Sequence, residues 1–223
     1  MARRSAGCCA FPGVEVEAQL ELDTWEGAAA QALVQSLPRG SVMHVANSMP
    51  IRDLDGFGGQ RETPLEVFSN RGANGIDGML STVAGEATAR GVPTVAFAGD
   101  LSVLHDLSGL GVAQAAQACV TLAVMDNRGG GIFEHLPIAA HPSAFEKNFI
   151  TPHEVDIAAL VEPLGIRAVT VDSVRDFSEA ILDEIERPGL SVVVLRIDRL
   201  TSTMRHRSIW QGVNERVLNE VTL

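Results

Sequence analysis

No run of 18 apolar residues occurs in this chain of 223, although 46% of it is hydrophobic, so a membrane-spanning helix is not expected. Cysteine is scarce: there are three, and two of them, Cys8 and Cys9, are neighbours. That excludes a disulfide framework and the ligand spacing of a structural zinc site, and it points to a reduced, cytoplasmic setting. Positive charge is also in short supply. A net charge of −11 argues against nucleic acid as the main partner. Internal repeats and low-complexity linkers are lacking. The apolar part of the first ten residues is too short for a secretory signal, so residues 1–25 are expected to form a disordered leader. Residues 26–223 then suffice for one well-buried domain.

What is present alternates between helix and strand. Helices are expected over Glu26–Leu37, Ile76–Arg90, Leu101–Gln117, Pro152–Leu164, Ser173–Glu186 and Thr201–Val221. Strands are expected over Ser41–Ala46, Glu66–Phe68, Pro93–Ala98, Cys119–Met125, Arg167–Val171 and Leu190–Ile197. Asn47–Asp53 and Leu54–Thr63 read as loop and irregular chain. The alternation implies an α/β fold, with a mostly parallel sheet covered by helices.

Two of the apolar strands end on oxygen donors. Pro93–Ala98 leads into Gly99-Asp100-Leu101-Ser102, and Cys119–Met125 leads into Asp126-Asn127-Arg128-Gly129-Gly130-Gly131. Open parallel sheets bind ligands at the carboxyl ends of their strands. A hard cation bridging a diphosphate needs a few protein oxygens there. The Asp100 carboxylate, the Asn127 amide oxygen and the Gly129 carbonyl are the candidate magnesium ligands, with the amides of Leu101 and Ser102 facing phosphate. Taken singly, Asp100 reads first as a helix cap and Asn127-Arg128-Gly129 as a turn. The pair, each after a strand, is more specific.

Gly-Asp followed by Asn one βα unit later resembles the thiamine-diphosphate (ThDP) motif. Asn47-Ser48-Met49-Pro50-Ile51-Arg52, Ser69-Asn70-Arg71-Gly72-Ala73-Asn74-Gly75-Ile76-Asp77-Gly78, Gly99–Asp106 and Asn127–Phe133 narrow the resemblance to one family. That family is 2-succinyl-5-enolpyruvyl-6-hydroxy-3-cyclohexene-1-carboxylate (SEPHCHC) synthase, the ThDP enzyme of menaquinone biosynthesis. Four motifs in order, across roughly residues 26–200, carry it.

The resemblance implies ThDP and Mg2+ or Mn2+ as cofactors, with Asp100, Asn127 and Gly129 as metal ligands. It implies cofactor contacts at Gly75, Ile76, Gly99, Asp100, Leu101, Ser102, Asn127, Gly129, Gly130 and Ile132, with Ile76 beneath the bent cofactor. Ser48, Arg52 and Arg71 would meet substrate carboxylates, and Ile132 and Phe133 would wall the chamber. The implied reaction decarboxylates 2-oxoglutarate and adds the succinyl semialdehyde–ThDP carbanion to isochorismate. Both substrates are dianions, and arginine's fixed fork suits carboxylates. A solvated loop charge or a surface ion pair is the alternative for each arginine. Arg128 departs from the neutral or acidic residue common beside the metal asparagine, and either points to solvent or pairs with Asp126.

The histidines are less specific. His105 reads as an acid–base or as a packed or surface residue, and His44 as structural. His135, His141 and His153 lie in a proline-containing stretch expected to be a mobile flap, without the spacing of a metal pair.

The family resembles three domains, and this chain matches the diphosphate-binding one. The glutamate that activates the cofactor belongs to the amino-terminal domain of a partner subunit. The expectation is therefore a homo-oligomer that needs a complementary amino-terminal half and is inactive without it. Another ThDP-dependent 2-oxoacid decarboxylase or synthase, or a non-catalytic module of the same fold, are the other readings.

Overall fold

A computed structural model describes residues 24–72 and 75–221, the side chains of 219–221 excepted. The expected leader falls almost wholly outside these residues. Trp25, at its end, is fully buried.

Six strands form one parallel sheet in the order β2-β1-β3-β4-β6-β5. They are β1 (Val42–Val45), β2 (Glu66–Phe68), β3 (Thr94–Gly99), β4 (Cys119–Asp126), β5 (Arg167–Val171) and β6 (Gly189–Arg196). The central strands are near-continuous apolar runs because helices cover both faces of the sheet. Side chains alternate between the faces with the period of a strand. Ala96, Ala98, Leu122 and Val124 enter one core, and Val95, Phe97, Ala123 and Met125 enter the other.

The first core is closed by α3 (Met79–Arg90), α5 (Leu107–Ala115) and α7 (Ile157–Val161), through residues such as Leu80, Leu110 and Ile157. The second is closed by α1 (Glu26–Ser36) and α8 (Val174–Glu184), through Leu33, Phe177 and Ile181. The order of strands reverses at β1, since β2 lies on one side of it and β3 on the other. The crevice outside the β1 and β3 carboxyl ends is thus the topological switch point where such sheets hold ligands.

The sheet agrees with the sequence to within a residue or so at each strand. The helices differ more. Asn47–Asp53, expected to be loop, contains the start of α2 (Met49–Phe57). Pro50 sits in its first turn, where the missing N–H would have had no partner anyway. The helix expected over Leu101–Gln117 is broken into α4 (Asp100–His105) and α5. The break falls at Asp106, whose buried carboxylate accepts the Leu80 N–H of α3 at 2.7 Å. The Ile76–Arg90 helix starts only after Gly78, at φ +68°. Within Pro152–Leu164, residues 152–156 are irregular and Asp156 caps α7. A short α6 (Pro142–Phe145) lies between a 3-10 turn at Gly131–His135 and a π turn at Glu146–Ile150.

The last helix, α9 (Arg199–Val221), is tied to the body by a buried pair. His206 Nε2 lies 2.7 Å from Asp53 Oδ1 of α2, under Trp25 and Phe57. Burial raises the Asp53 carboxyl to about 6, against the opposing hydrogen bond from His206. For His206, burial lowers the imidazole, but the hydrogen bond and charge of Asp53 outweigh it and the net direction is upward. A raised native pKa gives stability that is complete below the unfolded value and fades as pH rises through the native one. Both groups act in that sense, Asp53 between about 3.8 and about 6 and His206 above 6.5. Denaturant unfolding should therefore show stability falling as pH rises above about 6.5. His206→Ala should cost about 3 kcal/mol at pH 6, because it strands a buried carboxyl, and should flatten that fall. An unchanged slope in the variant would assign the fall to other groups.

Candidate active site

The switch-point loops form two adjoining clusters. In the first, at the ends of β3 and β4, Asp100 opens α4 and is almost fully buried. Its Oδ2 accepts the Gly129 N–H at 2.9 Å and lies 3.2 Å from His153 Nε2, and its Oδ1 accepts its neighbour's N–H, from Leu101, at 2.6 Å. The Leu101 amide, expected to face phosphate, is thus turned onto Asp100. Burial raises the Asp100 carboxyl to about 6, and the nearby Asp126 charge adds to this against the two backbone hydrogen bonds. Burial disfavours the charged form of this carboxylate, and a neighbouring cation would favour it. Asp126 is itself paired with Arg128 at 3.4 Å, one of the two alternatives open for that arginine.

Glycine is required where the loop turns back. Gly129 has φ +149°, and a Cβ there would come within 2.5 Å of the Ile150 carbonyl. The same carbonyl accepts the Gly130 N–H at 2.6 Å. The Gly129 carbonyl, a candidate ligand, accepts the Gly131 N–H at 3.0 Å, which leaves its second lone pair. Arg128, at φ +62°, completes a turn that L residues adopt at some cost.

Asn127 points its two amide ends differently. Nδ2 donates to Glu26 Oε1 at 2.9 Å, whereas Oδ1 is buried and has no hydrogen-bond partner among the described residues. Buried acceptors are seldom left so. A buried carboxylate and an orphaned amide oxygen are hard donors, and they fit Mg2+ or Mn2+. Asp100, Asp126 and His153 also place ligand atoms within 4.8 Å of one another. His153 was not legible as a site residue: it lies in an irregular stretch, and only the fold-back of Ile150 onto the glycine loop brings it to Asp100.

In the second cluster, at the ends of β1 and β2, Ser48 precedes α2 at φ +73°, a costly conformation of the kind that gathers at functional sites. Arg52 Nη1 donates to the Ser48 carbonyl at 2.6 Å and its side chain is exposed. Arg71, also exposed, donates to Asn47 Oδ1. Asn47 Nδ2 in turn donates to the carbonyls of Asn70 and Gly75. Asn47, quoted above only within a motif, is therefore the clamp that brings the Ser48–Arg52 and Arg71–Gly75 segments together. A Cβ on Gly75 would crowd its side chain at 3.3 Å. Ala73 and Asn74 lie outside the described residues.

The remaining candidates are spread around this edge. Gly99 and Ile76 are half-buried and Ser102 is buried. Ile132 and Phe133 are half-buried in the 3-10 turn, with Phe133 edge-on to Phe149 at 5.6 Å. The stretch expected to be a mobile flap is pinned. Arg199 of α9 pairs with Glu146 at 2.6 Å and Glu134 at 3.2 Å, and Arg207 reaches the Glu134 carbonyl. His105 pairs with exposed Asp77 on the surface, and buried His44 pairs with Glu86 at 3.0 Å.

Residues 60–195 match the family model of the thiamine pyrophosphate enzyme, C-terminal TPP binding domain. The chain is 40% identical over 199 residues to SEPHCHC synthase of Geobacillus thermodenitrificans, covering 89% of this chain and 34% of that protein. It is 42% identical over 178 residues to the Chloroflexus aurantiacus SEPHCHC synthase, covering 80% and 30%. It thus spans about a third of the length of the curated relatives it matches. Benzoylformate decarboxylase from Polynucleobacter necessarius superposes with a TM-score of 0.63 over 78% of this chain and 33% of that one, at 21% identity, which shows the shared fold. With the six-stranded parallel sheet and a family model matching more than half its length, the chain belongs to the C-terminal TPP binding domains of the thiamine pyrophosphate enzymes.

Proposed function

We propose that this chain forms the diphosphate- and metal-binding side of a ThDP-dependent SEPHCHC synthase of menaquinone biosynthesis, acting on 2-oxoglutarate and isochorismate. The observation that carries the reading is one juxtaposition. The hard donors Asp100 and Asn127 Oδ1 stand at the ends of β3 and β4, and the exposed guanidinium groups of Arg52 and Arg71 flank the end of β1. A metal–diphosphate seat beside two carboxylate-binding forks suits a ThDP enzyme whose substrates are dianions.

Asp100, Asn127 and the Gly129 carbonyl would hold Mg2+ or Mn2+. Gly99, Ser102 and Gly130 border the diphosphate, and Gly75, Ile76 and Ile132 line the thiamine ring. Bound ThDP supplies the carbanion chemistry, and the protein supplies orientation and electrostatics. Ser48, Arg52 and Arg71 bind the substrate carboxylates, and Ile132 and Phe133 wall off water. The activating glutamate comes from a complementary amino-terminal half in a homo-oligomer, so these 223 residues alone bind the cofactor without turnover. The setting is the cytoplasm; among the described residues no helix is long and apolar enough to cross a membrane.

Thermal unfolding with ThDP and Mg2+ together should raise the midpoint, and either alone should raise it less, since stabilisation follows ligand concentration over its dissociation constant. Asp100→Ala should abolish the joint shift. An equal shift in wild type and variant would remove the metal assignment.

In enzyme reconstituted with an amino-terminal half, Arg71→Ala should raise the KM for 2-oxoglutarate or isochorismate about tenfold to a hundredfold, the worth of a charge-assisted contact. ThDP affinity should stay nearly unchanged. Unchanged kinetics on both substrates, or a loss confined to ThDP affinity, would contradict the assignment. Steady 2-oxoglutarate decarboxylation by the 223 residues alone would contradict the need for a second half.

A further inference from the structure

An asparagine that ligates a metal has to present its oxygen, and an amide is nearly symmetric in shape. Something must decide which end faces the cation. At Asn127 that decision is made from behind. Glu26, the first residue of α1, is 4% exposed. One of its carboxylate oxygens accepts the Asn127 Nδ2 hydrogen at 2.9 Å and the other accepts the Ser202 hydroxyl of α9. With both Glu26 oxygens acting as acceptors, only the nitrogen end of the amide can turn toward it. The oxygen end is then turned the other way, where it is buried with no partner among the described residues. Reversing the amide would set oxygen against oxygen at Glu26 and leave the nitrogen on the side of the cation.

Glu26 is held firmly enough to impose this. It opens a helix, where a carboxylate is favoured by the unpaired N–H groups of the first turn. Its neighbour Trp25 is fully buried and packs edge-on against Phe57 at 4.8 Å, and Ser202 closes the side away from Asn127.

We infer that Glu26 is a positioning residue for the metal site: it fixes the orientation of the Asn127 amide so that Oδ1 faces the cation. This rests on the reading of Asp100 and Asn127 as metal ligands. Groups that orient a ligand in this way commonly govern metal affinity by tenfold to a hundredfold.

The test is Mn2+ titration of the purified chain in the presence of ThDP, with free Mn2+ followed by its electron paramagnetic resonance signal. Glu26→Ala should weaken Mn2+ binding about tenfold to a hundredfold. Asn127→Asp should also weaken it, because two carboxylates then face each other. The combination of Glu26→Gln with Asn127→Asp reverses the hydrogen bond: the glutamine NH2 donates to the new carboxylate, and the glutamine oxygen still accepts from Ser202. That pair should recover most of the affinity lost in Asn127→Asp, so the two changes are strongly non-additive. Recovery of folding stability alone would not restore Mn2+ affinity, and if Glu26→Ala does not fold, the exchanged pair still decides the matter. Additive losses, with Asp100→Ala abolishing binding, overturn the role of Glu26 and leave the site standing. Mn2+ binding that survives Asp100→Ala overturns the site and this inference with it.

Discussion

The hydrogen bond from the Gly129 N–H to Asp100 Oδ2 joins the end of β4 to the end of β3, and the geometry of the site follows from it. It is possible only because Gly129 takes a backbone conformation and a packing distance that no side chain permits. The loop then folds back through the Gly130 to Ile150 hydrogen bond, which carries His153 to the same carboxylate. The adjacent parallel strands set the spacing: Gly99 is in register with Met125, so Asp100 and the Asp126-Asn127 pair leave the sheet side by side. The reversal of strand order at β1 adds the Ser48–Arg52 segment to that edge.

Behind this edge lies a buried polar chain. Asn127, Glu26, Ser202, His206 and Asp53 connect by hydrogen bonds from the glycine loop through α1 and α9 to α2. Such groups are costly to bury unless they are satisfied. Here mutual pairing offsets part of the cost, while Asn127 Oδ1 and Asp53 Oδ2 stay unpaired among the described residues, and the chain links the residue that would face the metal to the helix that carries Arg52. The last helix is therefore part of the support of the site: Ser202 and His206 enter the chain, and Arg199 and Arg207 pin the segment between Glu134 and Glu146.

Much of this was legible in the sequence, for reasons that can be named. Strands read well because each central one is a short apolar run on a sheet covered on both faces. Arg167–Val171 and Glu66–Phe68, on the edges, stand as expected residue for residue. Helix limits read poorly wherever a tertiary hydrogen bond overrides local preference, as at Asp106 with Leu80, or where a proline starts a helix, as at Pro50. The candidate ligands Asp100 and Asn127 were visible because they follow strands. Glu26, Asn47 and His153 were not, because each acts through a partner that only the fold brings near. The pinning of residues 134–146 was hidden for the same reason, since its arginines lie more than fifty positions away on α9.

The central claim is that Asp100 and Asn127 Oδ1 share one divalent cation with a diphosphate. Anomalous diffraction from crystals of the chain grown with ThDP and Mn2+ tests it most directly. The account predicts one strong manganese peak about 2.1 Å from an Asp100 carboxylate oxygen and from Asn127 Oδ1, the distance of a hard octahedral site. The Asn127 nitrogen should still lie on Glu26. A peak held by Asp100, Asp126 and His153 with Asn127 left uncoordinated, or no peak at this edge of the sheet, would contradict it.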